Sequence, residues 1–175
     1  MQSFLRIDGY SFMGSKKFFL LLSILLLSSS AWGQSAAFRT LLKGVYDKDF
    51  PVITIEEVDL LDNPVFLDTR VWEEFEVSHI RQAKWVGYET FDLNNVRNLD
   101  KNQAVIVYCS IGARSESIGK KLQKAGFKNV YNLYGGIFHW VNEGKPVYSK
   151  DGKTEKVHAY NRSWGIWLTN GQKVY

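Results

Sequence analysis

Apolar and polar positions change rhythm along this chain, and each change marks an element. From Phe50 to Val147, short apolar runs alternate with stretches of helical period. The clearest run is AVIVYC, residues 104–109. It is β-branched and apolar at both alternating sets of positions, which predicts a central strand of a parallel sheet covered on both faces. VFLD, residues 65–68, predicts a second buried strand that ends in an acid. PVIT, AKWVGY and NVYNL predict three more strands. Helical signals lie between them. Thr54 stands as an N-cap with Glu57 three residues on, the spacing of a capping box. VWEEFEV predicts a short helix with Trp72 and Phe75 on one side. In ARSESIGKKLQKAG, Ile118, Leu122 and Ala125 fall at i, i+4 and i+7, and Gly126 follows where a glycine ends a helix. Asn63-Pro64 marks a turn, and Gly135-Gly136 separates NVYNL from a last short helix in IFHWVNEG. Strands alternating with helices predict an α/β domain with a mostly parallel central sheet flanked by helices on both faces. Residues 34–49 show no clear period and read as a lead-in, so the domain is expected over 50–148. Residues 149–175 are too aromatic for a disordered tail and are expected to pack back on the domain.

The N-terminus has a different pattern. FFLLLSILLL, residues 18–27, follows Lys16 and Lys17 and precedes the small residues SSSAWG. A basic segment, an apolar segment and small residues in that order have the layout of a secretory signal. Ala31 and Gly33 suit the cleavage positions, so residues 1–33 are expected to be removed after Gly33 and the protein exported, to a periplasm or the medium. The run falls short of the ~20 apolar residues of a transmembrane helix. An uncleaved signal anchor is the other reading, and Met13 would serve equally as a start. No cysteine lies near the cleavage site, which excludes a lipoprotein anchor.

Removing 33 residues from 175 leaves 142, enough for one domain with one core. The segment removed carries Arg6, Lys16 and Lys17 against Asp8, so the net charge falls from +4 to +2. No basic stripe is visible, and nucleic acid is not expected as a partner. The membrane is expected to be met only through the signal segment, and the chain is expected to be a monomer.

The chain has one cysteine, Cys109, at the end of the central strand. One cysteine forms no intrachain disulfide, and a thiol in an oxidising compartment is a liability unless it is buried or used. Loops beyond the carboxyl ends of parallel strands carry function in open sheets. Here such a loop runs through Ser110, Ile111, Gly112 and Ala113 into the predicted helix. Its amides can curl around an anion, with Gly112 supplying the backbone freedom and the helix N-terminus a positive dipole end. Arg114 adds a permanent cation, and the whole arrangement favours thiolate over thiol. The competing reading is a core cysteine before an ordinary strand-to-helix turn. Four residues separate Cys109 from Arg114, one fewer than in a tyrosine-phosphatase-like loop, and Ser115 stands where such a loop has its arginine. The tighter loop is sized for a sulfur carried on Cys109 rather than for a phosphate.

CSIGARS resembles the active-site loop of the rhodanese family of sulfurtransferases: cysteine, two residues, glycine, one residue, arginine, serine. VFLDTR, EFEVSHIRQA and GGIFHWVNEGKPV resemble three further motifs of that family, in the same order. Ser78, Arg81 and Gln82 depart from the pattern, standing where glycine, proline and glycine are usual. The resemblance implies a single rhodanese-like domain that transfers a sulfane sulfur. Cys109 would take the sulfur from a small anionic donor such as thiosulfate and pass it to a thiol or a cyanide-like acceptor, with no cofactor and no metal. Ser110 to Ser115 would form the cradle. Asp68 and Arg70 would support the site or form a structural ion pair, with Glu74 as a further partner. A binding or regulatory module with little catalysis is the alternative function. His79, His139 and His158 lack the spacing of metal ligands. His79 reads as a packing residue and His139 as a surface or rim residue. Lys120, Lys121 and Lys124 read as a solvated helix face.

Overall fold

The computed structural model describes residues 36–175, and the predicted signal segment lies outside the described residues. The chain divides into two compact units, residues 1–40 and 41–175. Of the first, residues 36–40 are helical. The second opens with helical residues 41–45 (α1), where the sequence shows no clear period. Leu42 there and Phe50 just beyond are buried anchors, too few to produce a visible repeat.

Five parallel strands form the central sheet in the order β1, β5, β4, β2, β3. They are β1 (Val52–Ile53), β2 (Val65–Asp68), β3 (Lys84–Trp85), β4 (Ala104–Tyr108) and β5 (Asn129–Leu133). β4 is the middle strand, as its doubly apolar pattern predicts. Side chains alternate across the sheet. Val105 and Val107 of β4 join Leu67, Val130 and, from α4 (Ala113–Lys124), Ile118 and Leu122 in one apolar core. On the other face Phe66 of β2 meets Tyr108 at 6.5 Å and Trp140 of α5 (Gly136–Asn142) at 5.8 Å. Helices α4 and α5 therefore cover opposite faces, so the α/β class and its two covered faces stand as read from the sequence.

Short helices complete the crossovers: α2 (Ile55–Val58) and α3 (Trp72–Val77), with a 3-10 turn at Leu93–Val96. The capping box forms at α2. Thr54 accepts from the Glu57 amide, and the Glu57 carboxylate accepts from the Thr54 amide at 2.8 Å. AKWVGY keeps only Lys84–Trp85 as strand, at the sheet edge. The chain then folds back, and the Val86 and Gly87 amides both donate to Asp68 O. After α5 come a hairpin, β6 (Val147–Ser149) with β7 (Gly152–Thr154), and a parallel pair, β8 (Lys156–His158) with β9 (Gln172–Val174), joined through α6 (Arg162–Gly165). Asn142 of α5 holds this segment: Nδ2 donates to Trp167 O at 2.8 Å and Oδ1 accepts from the Thr169 amide at 2.7 Å. Among the described residues no helix is long and apolar enough to cross a membrane.

Asp68 and Arg70 are both fully buried and pair at 2.7 Å. Arg70 Nη2 also donates to Ser78 O at 2.6 Å, and Arg70 O accepts from Trp85 Nε1 at 2.9 Å. The Arg70 guanidinium thus joins the end of β2 to the end of α3, and its backbone carbonyl ties in β3. Removing one member of a buried pair leaves the other charge uncompensated, at a cost of about 3–5 kcal/mol. Arg70→Ala is expected to lose about that much stability in urea denaturation. A loss below about 1 kcal/mol, the level of a solvated surface pair, would contradict this role.

Candidate active site

Strand β4 ends at Tyr108, whose carbonyl accepts from both the amide (2.9 Å) and the hydroxyl (3.1 Å) of Thr69. Cys109 follows and is buried, 2% exposed. The chain turns through Ser110 and Ile111 to Gly112, the N-cap of α4, which lies in the left-handed region at φ 103 and ψ −5. That conformation aims the Gly112 amide back at the cysteine, and it donates to Cys109 Sγ at 3.1 Å. Helix α5 supports the loop from the other side. Its Ile137 and Phe138 amides donate to Cys109 O at 2.9 Å and Ser110 O at 3.1 Å. This close approach explains Gly136: it has φ 57, and a Cβ there would lie 2.7 Å from Ser110 O.

Arg114, predicted as the cation of the cradle, is clamped rather than free. Its Nη1 donates to Glu74 Oε2 at 3.0 Å and its Nη2 to Glu74 Oε1 at 3.3 Å. Nη2 also reaches Ser110 Oγ at 3.1 Å, and Ser110 in turn donates to Glu74 Oε1 at 3.0 Å. The sequence suggested Glu74 as a companion of Asp68 and Arg70, but its side chain bonds to the cysteine loop instead. Trp72 and Phe75 stack on each other at 5.5 Å, yet Trp72 is 45% exposed, and the residue that α3 buries is Glu74. Burial alone would lower the Arg114 pKa, but the negative charge of a Cys109 thiolate and the Glu74 pairing raise it above its ordinary value. The ring of Tyr160 lies 5.0 Å from the guanidinium, within the reach of a cation–π contact.

Ser115 faces inward. Its Oγ donates to Asn132 Oδ1 at 2.8 Å, and Asn132 Nδ2 donates to Gly112 O at 2.9 Å, so β5 braces the loop from beneath. Ile111 is buried, and its carbonyl accepts from the Tyr46 hydroxyl at 2.6 Å. Ala113 is exposed at the first turn of α4. The loop residues therefore fall into two hydrogen-bonded groups, Cys109 with Gly112 and, through Asn132, Ser115, and Ser110 with Arg114 and Glu74, while Asp68 and Arg70 pair with each other and with the ends of α3 and β3. Tyr46, Asn132, Tyr160 and the buried placement of Glu74 escaped the sequence reading. Only Glu74, as the acid that opens EFEVSHIRQA, carried any signal.

His79 stacks on Phe75 at 4.0 Å, with Nδ1 3.1 Å from Phe75 O, and so is a packing residue. His139 meets Tyr134 edge-on at 5.3 Å, and burial lowers its pKa. Lys120 bonds to Asp47 at 2.7 Å and Glu116 at 2.9 Å on an open helix face. Among the described residues no group of three or more His, Cys, Asp or Glu is placed to hold a metal ion.

Burial alone would raise the Glu74 carboxyl, but the Arg114 hydrogen bond and charge, the Arg70 charge and Ser110 outweigh it and hold the pKa below its ordinary value of 4.5. A carboxyl depressed in the folded state stabilises the fold above its unfolded pKa, and that contribution is lost as the pH falls through the folded value. Glu74→Gln is expected to be less stable than the wild type by about 1.5–3 kcal/mol near neutral pH. The gap should narrow as the pH drops below 4.5. Urea midpoints across that range check this, and a gap independent of pH would contradict it.

Residues 54–143 match the family model of the rhodanese-like domain. Among curated proteins, a tRNA uridine(34) hydroxylase of Photorhabdus laumondii subsp. laumondii is 31% identical over 121 residues, covering 61% of this chain and 34% of that protein. The chain thus spans about a third of the length of the curated relatives it matches. A rhodanese-like domain protein of Staphylococcus aureus has a TM-score of 0.50 at 26% identity, covering 58% of this chain and 99% of that one. A rhodanese-like domain of an Anabaena protein has a TM-score of 0.51 at 22% identity, covering 57% and 79%. With the family match spanning half of the chain, and the five-stranded parallel sheet shared with such domains, this protein belongs to the rhodanese-like domain family.

Proposed function

We propose that the protein is a sulfurtransferase that carries a sulfane sulfur on Cys109. The observation that carries this reading is the Gly112 amide aimed at Cys109 Sγ at 3.1 Å, in a loop at the end of the central strand. A fixed donor at the sulfur stabilises negative charge there before and after sulfur is attached. In the first half-reaction the Cys109 thiolate attacks the outer sulfur of thiosulfate. A new S–S bond forms, the sulfur–sulfite bond breaks, and sulfite leaves with the electron pair. In the second, a thiolate or cyanide attacks the outer sulfur and Cys109 leaves as thiolate, so no external oxidant or reductant is consumed. Glu74 and Ser110 hold the Arg114 guanidinium, which gives the loop a fixed cation for an anionic donor.

Export after cleavage behind Gly33 is part of the same proposal, supported by the signal layout of residues 16–33. A second reading, a reaction on a tRNA base, is favoured by the similarity to tRNA uridine(34) hydroxylases, one of which matches 121 residues of this chain. A noncatalytic binding module is the third, and an intact cysteine loop speaks against it.

Intact mass after thiosulfate treatment separates these readings. The expected result is a gain of one sulfur atom, removed by cyanide with release of thiocyanate and absent in Cys109→Ser. No adduct and no thiocyanate would overturn the sulfurtransferase reading. In that case, retention of tRNA in a gel-shift experiment would favour the second.

A further inference from the structure

We propose that Tyr46, from the segment before the family-matched residues, is a positioning residue that locks the Ile111–Gly112 peptide with its N–H on the Cys109 sulfur. The inference deepens the sulfurtransferase reading and rests on it.

The Tyr46 hydroxyl makes two short hydrogen bonds across the fold. It donates to Ile111 O at 2.6 Å and accepts from the Gly135 amide at 2.7 Å. Ile111 O and the Gly112 N–H are opposite ends of one planar trans peptide. Fixing the carbonyl end on Tyr46 therefore fixes the direction of the N–H end, which meets Sγ at 3.1 Å. The alternative is accessible to this loop. Gly112 at φ 103, ψ −5 lies close to the second central position of a type II turn, and rotating the preceding peptide gives the type I form. Glycine adopts both forms with little steric cost. In the rotated form the Ile111 carbonyl would turn toward the sulfur, and an acceptor would replace a donor beside a developing negative charge.

The ring of Tyr46 also packs on the loop. A Cβ on Gly112 would lie 2.7 Å from Tyr46 Cε1, so the ring packs directly on the glycine. Tyr134 supports the ring edge-on at 6.2 Å. Burial, a thiolate at Cys109, Tyr134 and Glu116 all push the phenol pKa up against the opposing Gly135 bond, so the hydroxyl keeps its proton and remains a donor. Arg114 and Glu74 act on the same loop from α4 and α3, but they bond to Ser110 Oγ and to each other, not to this peptide. Asn132 holds the following peptide through Gly112 O. Tyr46 is thus the side chain that holds the 111–112 peptide by its carbonyl.

The test compares Tyr46→Phe with 4-aminophenylalanine placed at position 46, which keeps a donor on the same ring. Two readouts apply at fixed pH: the rate of Cys109 alkylation by iodoacetamide and the Gly112 amide resonance. In Tyr46→Phe the rate is expected to fall about tenfold, the effect of losing one hydrogen bond to a charged group. The Gly112 resonance should move upfield and broaden. The amino variant should restore both. A folded Tyr46→Phe with wild-type rate and resonance overturns the proposal, as does an equal loss in both variants, which would mark a purely structural role. If Tyr46→Phe does not fold, the amino variant against the wild type decides, and a tenfold loss there overturns it. Iodoacetamide needs no sulfur donor. A wild type that reacts with it but takes no sulfur from thiosulfate contradicts the proposed function and leaves this test intact.

Discussion

The candidate site depends on the direction of one peptide group. The Gly112 amide lies 3.1 Å from Cys109 Sγ, and among the described residues no other amide donates to the sulfur. Its direction is set by elements distant in sequence. β4 delivers the cysteine, α5 holds the carbonyls of Cys109 and Ser110, β5 holds Gly112 O through Asn132, and Tyr46 holds Ile111 O. A turn containing glycine has more than one accessible backbone form when only local bonds hold it. This one is anchored at successive carbonyls, so its shape belongs to the fold rather than to the turn.

The electrostatics follow the same logic. A partly buried arginine beside a cysteine could bond to the sulfur alone. Here it is shared between Glu74 and Ser110, and Tyr160 covers its face. The cation is fixed in place, and against the effect of burial it helps, with Arg70 and Ser110, to hold the carboxyl beside it below its ordinary pKa. Asp68 and Arg70 form a separate pair that joins β2, α3 and β3. Two Arg–carboxylate pairs thus divide the work, one organising the crossover and one the loop.

The fold was legible wherever burial leaves a local pattern. β4 is apolar on both faces because both faces are covered, and α4 shows its buried positions at helical spacing with a left-handed Gly126 at its end. The cysteine loop was legible because its residue types are constrained by conformation: glycine where φ is positive, small residues where backbones meet. Tyr46 left no local signal, since its partners lie 65 and 89 residues away and its own segment has no period. Glu74, read as a further partner of Asp68 and Arg70, bonds elsewhere for a related reason: Ser110 and Arg114 lie 36 and 40 residues on, beyond any local pattern. AKWVGY shortened because an edge strand needs only a few ladder bonds before the chain turns back onto Asp68 O.

The central claim is that this loop is built to hold a sulfur-bound anion on Cys109. The most direct measurement is a crystal structure of the thiosulfate-treated protein. The account predicts one additional sulfur bonded to Cys109 Sγ, lying within the loop, with Gly112 still in the left-handed conformation and its amide directed at the sulfur. An unmodified cysteine, or an attached sulfur facing a reversed Ile111–Gly112 peptide, would contradict it.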